Sequence, residues 1–174
     1  PVLGLLPPEL TTRRPNRGLE ALCASADGAW LYLGMQSALR DEDRSSAPIW
    51  KLDASTGALA GAWRYPFDLP TSFKRDAARR KVGLNDLKIC EFAWAGEDRL
   101  IVLERIAHSS KLYLIDLARL PEKRLVFSTD DHPDIGPQTG FSTPRTEPAA
   151  GWTPRMPAHP LDDLLHAAAT RYPS

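Results

Sequence analysis

At 174 residues, 43% hydrophobic and 25% charged, the chain has the size and composition of an ordinary globular domain with enough apolar residues for a core. Twenty-two basic residues balance twenty-two acidic ones, so no global field draws it to nucleic acid or to an anionic membrane surface, and function must rest on local sites. The longest apolar runs, such as Leu100 to Leu103 and Leu112 to Ile115, fall far short of the roughly 20 residues of a membrane-spanning helix, so no transmembrane segment is expected.

From Gly18 to about Phe127 the sequence is a series of short β-type runs divided by turn residues. LEALCAS and AWLYLGMQ flank Asp27-Gly28, a hairpin signal because glycine accepts the positive φ of tight primed turns. IWKLDA and ALAGAWRY flank Ser55-Thr56-Gly57 in the same way. A second series follows: DLKICEFAW and RLIVLERI around Gly96-Glu97-Asp98, then KLYLIDL and KRLVFS around Ala118 to Glu122. Four strands are predicted in each series. Trp50-Lys51-Leu52-Asp53 aligns with Leu114-Ile115-Asp116, and LEALCASADGAWLYLG with LKICEFAWAGEDRLIVL, so the unit repeats. The two cysteines, Cys23 and Cys90, fall on comparable strands and form no CxxC pair, which excludes a zinc or redox motif and leaves buried thiols or a disulfide.

Repeats of about 40 to 50 residues, each an up-and-down four-stranded sheet, are the signature of propeller blades. The competing arrangement is an eight-stranded sandwich. The parallel between the units favours an all-β, partial β-propeller of two four-stranded antiparallel blades, about residues 18–65 and 86–127, within a segment 1–127. Two insertions lengthen the spacing, Ser37 to Ala47 and Pro66 to Asn85. The second carries Lys74, Arg75, Arg79, Arg80 and Lys81, which read either as a phosphate contact or as a solvated loop. After residue 127 the pattern stops: eight of sixteen prolines lie in residues 128–174, which read as a poorly ordered, Pro-rich tail with one short amphipathic stretch from Leu161.

Two ordered stretches carry a family resemblance. The first runs from Asn16-Arg17-Gly18-Leu19-Glu20 through Asp27-Gly28 to Leu33-Gly34-Met35-Gln36-Ser37. The second runs from Lys88-Ile89-Cys90-Glu91 through Asp98-Arg99-Leu100-Ile101-Val102-Leu103-Glu104-Arg105 to Lys111-Leu112-Tyr113-Leu114-Ile115-Asp116-Leu117. Together they resemble the phytase-like family labelled "esterase-like activity of phytase", with its NRG, KISE, DRLLVLER and KLYxVDL succession. Leu19 stands where that pattern has an aromatic, Ala21 where it has glycine, and Cys90 where it has a small polar residue. The family would next supply another blade, and residues 128–174 contain none, which points to a truncated or misread chain end.

The resemblance implies chemistry at the inner strands, whose ends converge on a propeller's central channel. Propeller phytases are calcium-dependent, so it implies that Glu20 and Glu91, with Glu104, hold Ca²⁺ against a phosphate oxygen, an ion that takes six to eight oxygen ligands. Arg17 and Arg105 would pair with the anion through their guanidinium forks, and Asn16 and Gln36 would add neutral contacts. Glu20, Glu91 and Arg105 are thus the expected catalytic set, with metal-activated water and no covalent nucleophile. The plainer readings stay open: Glu20 as an inter-blade carboxylate, and Glu104-Arg105 as a pair ending a strand. Asp53 and Asp116 read as turn formers. His108 beside Ser109 and Ser110 does not read as a serine hydrolase, because no GxSxG elbow is present and adjacent residues point apart.

Three functions follow as expectations: a calcium-dependent phosphoester hydrolase acting on a small phosphorylated substrate, a non-catalytic binding module of the cell envelope, or an inactive fragment. The resemblance implies a periplasmic or extracellular location. Two blades cannot close a ring, which takes at least four, so the expected partners include missing blades of the parent chain, with both outer blade faces left apolar and open.

Overall fold

The computed structural model describes residues 6–132. The amphipathic stretch from Leu161 and nearly all of the Pro-rich segment lie outside the described residues.

Eight strands form two antiparallel sheets in simple up-and-down order. Sheet I contains β1 (Leu19–Ala24), β2 (Trp30–Met35), β3 (Ser46–Asp53) and β4 (Leu59–Pro66). Sheet II contains β5 (Lys88–Trp94), β6 (Arg99–Arg105), β7 (Ser110–Asp116) and β8 (Lys123–Ser128). The predicted repeat is therefore present as two blades of a partial β-propeller. The turns form where the sequence places them: Gly28 and Gly57 take φ of 70° and 72°, a region costly for residues with a Cβ. Asp53 accepts hydrogen bonds from the Ser55 and Thr56 N–H groups, and Asp116 from Ala118 N–H, so both act as turn formers.

Strand register fixes how the blades correspond. β1 bulges between Leu19 and Ala21, and β5 bulges between Ile89 and Glu91. Leu22 pairs with Leu33 in sheet I as Phe92 pairs with Val102 in sheet II, and Gly34 is the counterpart of Leu103. In the next strand pair, Trp30 opposes Asp53 as Arg99 opposes Asp116, which makes Lys51 and Leu114 equivalent. One face of sheet I packs on the opposite face of sheet II, the relation of successive propeller blades.

That interface is the main core. Ala21, Tyr32, Ile49 and Tyr65 from sheet I meet Ile89, Phe92, Val102 and Ile115 from sheet II, all buried. Full burial of each large apolar side chain contributes roughly 1.5–3 kcal/mol. The closest approach is at Gly34, where an added Cβ would lie 2.4 Å from the Phe92 ring. Glycine is required there for space rather than for conformation. A polar latch crosses the interface at one end, where Asp98 accepts from Tyr32 Oη at 2.8 Å and from Lys51 Nζ at 2.6 Å.

The outer face of sheet I differs from expectation. Leu33, Met35, Trp50 and Leu52 are buried beneath Leu6 and Leu10 of the N-terminal segment and Leu39 of the first insertion. Arg14 fastens this cover by donating to the Ala38 and Leu39 carbonyls at 3.1 and 3.2 Å, and Arg40 N–H donates to Thr12 O at 2.9 Å. Among the described residues, sheet I keeps Leu19 and Leu22 exposed on that face, whereas sheet II has a broader open apolar face, with Ile101, Leu103, Leu112 and Leu114 each partly exposed and outside every core cluster.

The second insertion includes a four-residue helix, α1 (Lys74–Ala77), and is held by its own small core of Phe73, Leu87 and Ile106. Asp76, fully buried, accepts from the N–H groups of Ala107, His108 and Ser109, so one carboxylate satisfies the turn between β6 and β7. Asp130 accepts from the N–H groups of Lys74 and Arg75 and from the Ser109 hydroxyl. The basic run is thereby anchored at its start, while Arg79, Arg80 and Lys81 stay exposed.

Candidate functional site

The start of the two inner strands gathers most of the residues singled out from the sequence. Asn16 is exposed and sits at φ 56°, closing a turn in which Arg17 N–H donates to Arg14 O. Asparagine tolerates that conformation better than most residues. This turn aims Arg17 at the segment leading into β5, where its guanidinium donates to the carbonyls of Asn85 and Leu87. Gln36 stitches the blades with its backbone: its N–H donates to Gly18 O, and its carbonyl accepts from Ile89 N–H, both at 3.0 Å. Its side-chain Oε1 is buried without a partner.

Glu20 occupies the bulge of β1, and the bulge of β5 holds Cys90. The counterpart of Glu20 is therefore Cys90, and that of Glu91 is Ala21, so the two carboxylates do not occupy matching places. Electrostatics follows this offset. Burial pushes the Cys90 thiol up; Arg105 opposes that shift, Glu20 adds to it, and Lys88 and Arg17 oppose it. Arg105 opposes Lys88 in the β5–β6 ladder, and Arg17 reaches the carbonyl of Leu87 just before it. Glu91 lies instead by Cys23, whose thiol is pushed up to about 11 by burial and by the Glu91 charge. Glu91 is exposed and accepts locally from Phe92 N–H. Both thiols are free, so no disulfide joins the blades.

Glu104 stands apart from this group. It faces sheet I, is fully buried, and has both oxygens engaged: Tyr65 Oη donates at 2.7 Å, Asp68 N–H at 2.9 Å and Lys123 Nζ at 2.9 Å. Lys123 also contacts Asp68 at 3.0 Å, while Lys111 donates to the other Asp68 oxygen at 2.8 Å and to Ser72 Oγ at 2.7 Å. Tyr113 donates to Asp68 as well. Burial works against the Asp68 charge, yet the Lys111, Tyr113 and Lys123 contacts hold its carboxyl well below the usual range. Tyr65 is pushed well above its ordinary value, first by burial and then by Glu104. Two lysines balance two carboxylates, and each charged head has partners, so the cluster is a blade-to-blade lock. Neither Asp68, Lys111 nor Lys123 was marked by sequence reading. Arg105, the neighbour of Glu104, points to the opposite face of β6 and lies opposite Lys88 in the ladder, so of the alternatives left open for Glu104 the contact with a backbone group is present, from Asp68 N–H, and the contact with Arg105 is not.

The expected calcium set fails a test of fit. The Glu104 oxygens are occupied, and the strand register offsets Glu20 from Glu91. No group of three or more His, Cys, Asp or Glu side chains suited to a metal occurs among the described residues. The start of the inner strands instead carries three cationic side chains, Arg17, Lys88 and Arg105, with Glu20 on one side and Asp86 beside Arg17. Arg17 keeps further N–H donors beyond those used on carbonyls, since a guanidinium carries five.

A family model described as phytase-like, esterase-like activity of phytase, matches residues 4–144. The chain belongs to the phytase-like domain family. The match runs beyond residue 127, where the sequence pattern had been expected to end, so part of the Pro-rich stretch falls within the family segment of this phytase-like chain. No curated protein and no solved structure matches the chain. No helix among the described residues is long and apolar enough to cross a membrane.

Proposed function

We propose that this phytase-like domain binds the phosphoryl group of a small phosphoester at the start of its inner strands and takes part in its hydrolysis. The observation behind this reading is that Arg105 opposes Lys88 in the β5–β6 ladder and that the Arg17 guanidinium reaches the Leu87 carbonyl, one residue before Lys88. Two guanidinium groups and an ammonium match the charge and hydrogen-bonding geometry of phosphoryl oxygens. Charge that develops on those oxygens in the transition state is stabilised by the same donors. Glu20, the carboxylate beside them, is placed to accept a proton from attacking water. A periplasmic or extracellular setting accords with the family.

A non-catalytic binding module is the second reading. It is favoured by the engaged state of Glu104, whose oxygens are taken by Tyr65 Oη, Asp68 N–H and Lys123 Nζ, so that it does not join Glu20 in a catalytic set. One titration separates the two. Inorganic phosphate binding followed calorimetrically, together with phosphate release from p-nitrophenyl phosphate with and without chelator, is compared between the parent and the variants Arg105→Gln and Lys88→Gln, at an exposed and a half-buried position. The hydrolase reading expects both variants to lose phosphate binding and turnover, with chelator having no effect. Binding without turnover supports the module. Phosphate binding unaltered in both variants would refute the site.

A further inference from the structure

The repeat gives several residues of the inter-blade interface counterparts on the outer faces, and among them is an apolar pair that fits together. Within the chain, Phe92 of sheet II seats on Gly34 of sheet I. The register places Leu22 where Phe92 would be, on the outer face of sheet I, and Leu103 where Gly34 would be, on the outer face of sheet II. The large-on-small pair of the internal interface becomes a medium-on-medium pair, Leu22 on Leu103. Leu19, the counterpart of the buried Ile89, lies beside Leu22, and the two are 39% and 60% exposed. Around Leu103 lie Ile101, Leu112 and Leu114, the counterparts of Tyr32, Ile49 and Lys51.

The remaining apolar part of the outer face of sheet I is covered. Leu6 and Leu10 lie over Leu33, Met35, Trp50 and Leu52. The N-terminal segment therefore occupies, on sheet I, the ground that sheet I occupies on sheet II.

We propose that this segment is an occluding strap, and that when it leaves, copies of the chain dock head to tail, the outer face of sheet I of one copy on the outer face of sheet II of the next. The partner is a second copy because both halves of the contact are present on one chain and repeat an interface the chain already forms. The contact is heterologous, so it propagates rather than closing at a dimer. The inference is independent of the phosphoester reading.

Sedimentation velocity tests it on the intact chain and on a chain lacking residues 1–12, with folding checked by circular dichroism. The intact chain is expected to stay monomeric and the strapless chain to form a concentration-dependent series beyond the dimer. Leu22→Lys and Leu103→Lys, at exposed and partly exposed positions, should each return the strapless chain to monomer. Mixing these two strapless variants leaves one productive contact, and the mixture should stop at a heterodimer. If truncation unfolds the chain, Leu10→Asp in the intact chain is read in the same way. A folded strapless or Leu10→Asp chain that stays monomeric overturns the proposal, and the open face then belongs to some other occupant. Assembly that ignores both lysine substitutions, or an intact chain that assembles equally, overturns it as well.

Discussion

Replacing Glu104 with glutamine keeps the side chain's size and removes the charge at the centre of the blade-to-blade lock. Three donors converge on the carboxylate: Tyr65 Oη, Asp68 N–H and Lys123 Nζ, at 2.7, 2.9 and 2.9 Å. An amide accepts on one side only, so at least one donor faces its NH₂. Losing a hydrogen bond to a charged group costs roughly 1.5–3 kcal/mol, and a buried donor left unmatched costs roughly 1–3 kcal/mol. Lys123 keeps Asp68 at 3.0 Å, which offsets part of the loss. The net expectation is about 3 kcal/mol, at the low end for breaking a buried pair. At about 4 °C per kcal/mol for a domain of this size, the melting temperature should fall by about 12 °C. Thermal unfolding followed by tryptophan fluorescence measures this directly. A double-mutant cycle with Lys123→Met isolates the pair, and the coupling should exceed about 1 kcal/mol because both residues share one network. A Glu104→Gln protein melting within about 2 °C of the parent, or strictly additive losses, would refute the assignment of Glu104 to a structural lock.

Asp68 gives the same lock a pH dependence. Its carboxyl is held below the ordinary unfolded value of about 3.9, so its stabilisation is full above about pH 4 and is lost as pH falls through the folded value. In urea titrations the gap between the parent and Asp68→Asn should be wide at neutral pH and narrow below about pH 4, and a constant gap would contradict the mechanism. Gly34→Ala drives a Cβ into the Phe92 ring, with an expected cost of roughly 1–3 kcal/mol, largely recovered when Phe92→Leu is added; equal stability of single and double variants would count against the contact. Asp76→Asn leaves an amide among the N–H groups of Ala107, His108 and Ser109, so hydrogen exchange at those amides should accelerate more than tenfold, equivalent to about 1.4 kcal/mol, while β2 and β3 amides keep their protection.

The strands and the repeat were legible because both follow from local chemistry. Alternation placed β1 to β8, and Gly28, Gly57 and the Gly96 turn marked three of the hairpins. The basic insertion was also visible, but the two acids that anchor it were not. Asp76 sits inside the cationic run itself, and its partners lie 31 to 33 residues away, a separation that no local pattern reports. The charged lock was half visible. Leu100-Val102-Glu104 and Lys111-Tyr113-Ile115 each continue an inward-facing alternation, a signal of burial that the reading of Glu104 as a metal ligand or a strand-end pair leaves unused. What was missing was their company, since Asp68 comes from the insertion and Lys123 from the last strand.

The site was misjudged by a single residue, and the reason is geometric. Each inner strand has one bulge, at matching places, and a bulge adds a residue without adding a pleat. The residue in it is Glu20 in β1 and Cys90 in β5, so Glu91 falls one place further on, as the counterpart of Ala21. The cations do not suffer this shift. Arg17 precedes the bulge of β1, Lys88 precedes that of β5, and Arg105 opposes Lys88 across an unbroken part of the ladder. The register therefore separates the two carboxylates and leaves Lys88 and Arg105 opposite each other. The expected calcium-and-phosphate site thus loses the facing carboxylates of its metal half, while Arg17 and Arg105 of its anion half stay near the start of the inner strands of this phytase-like chain.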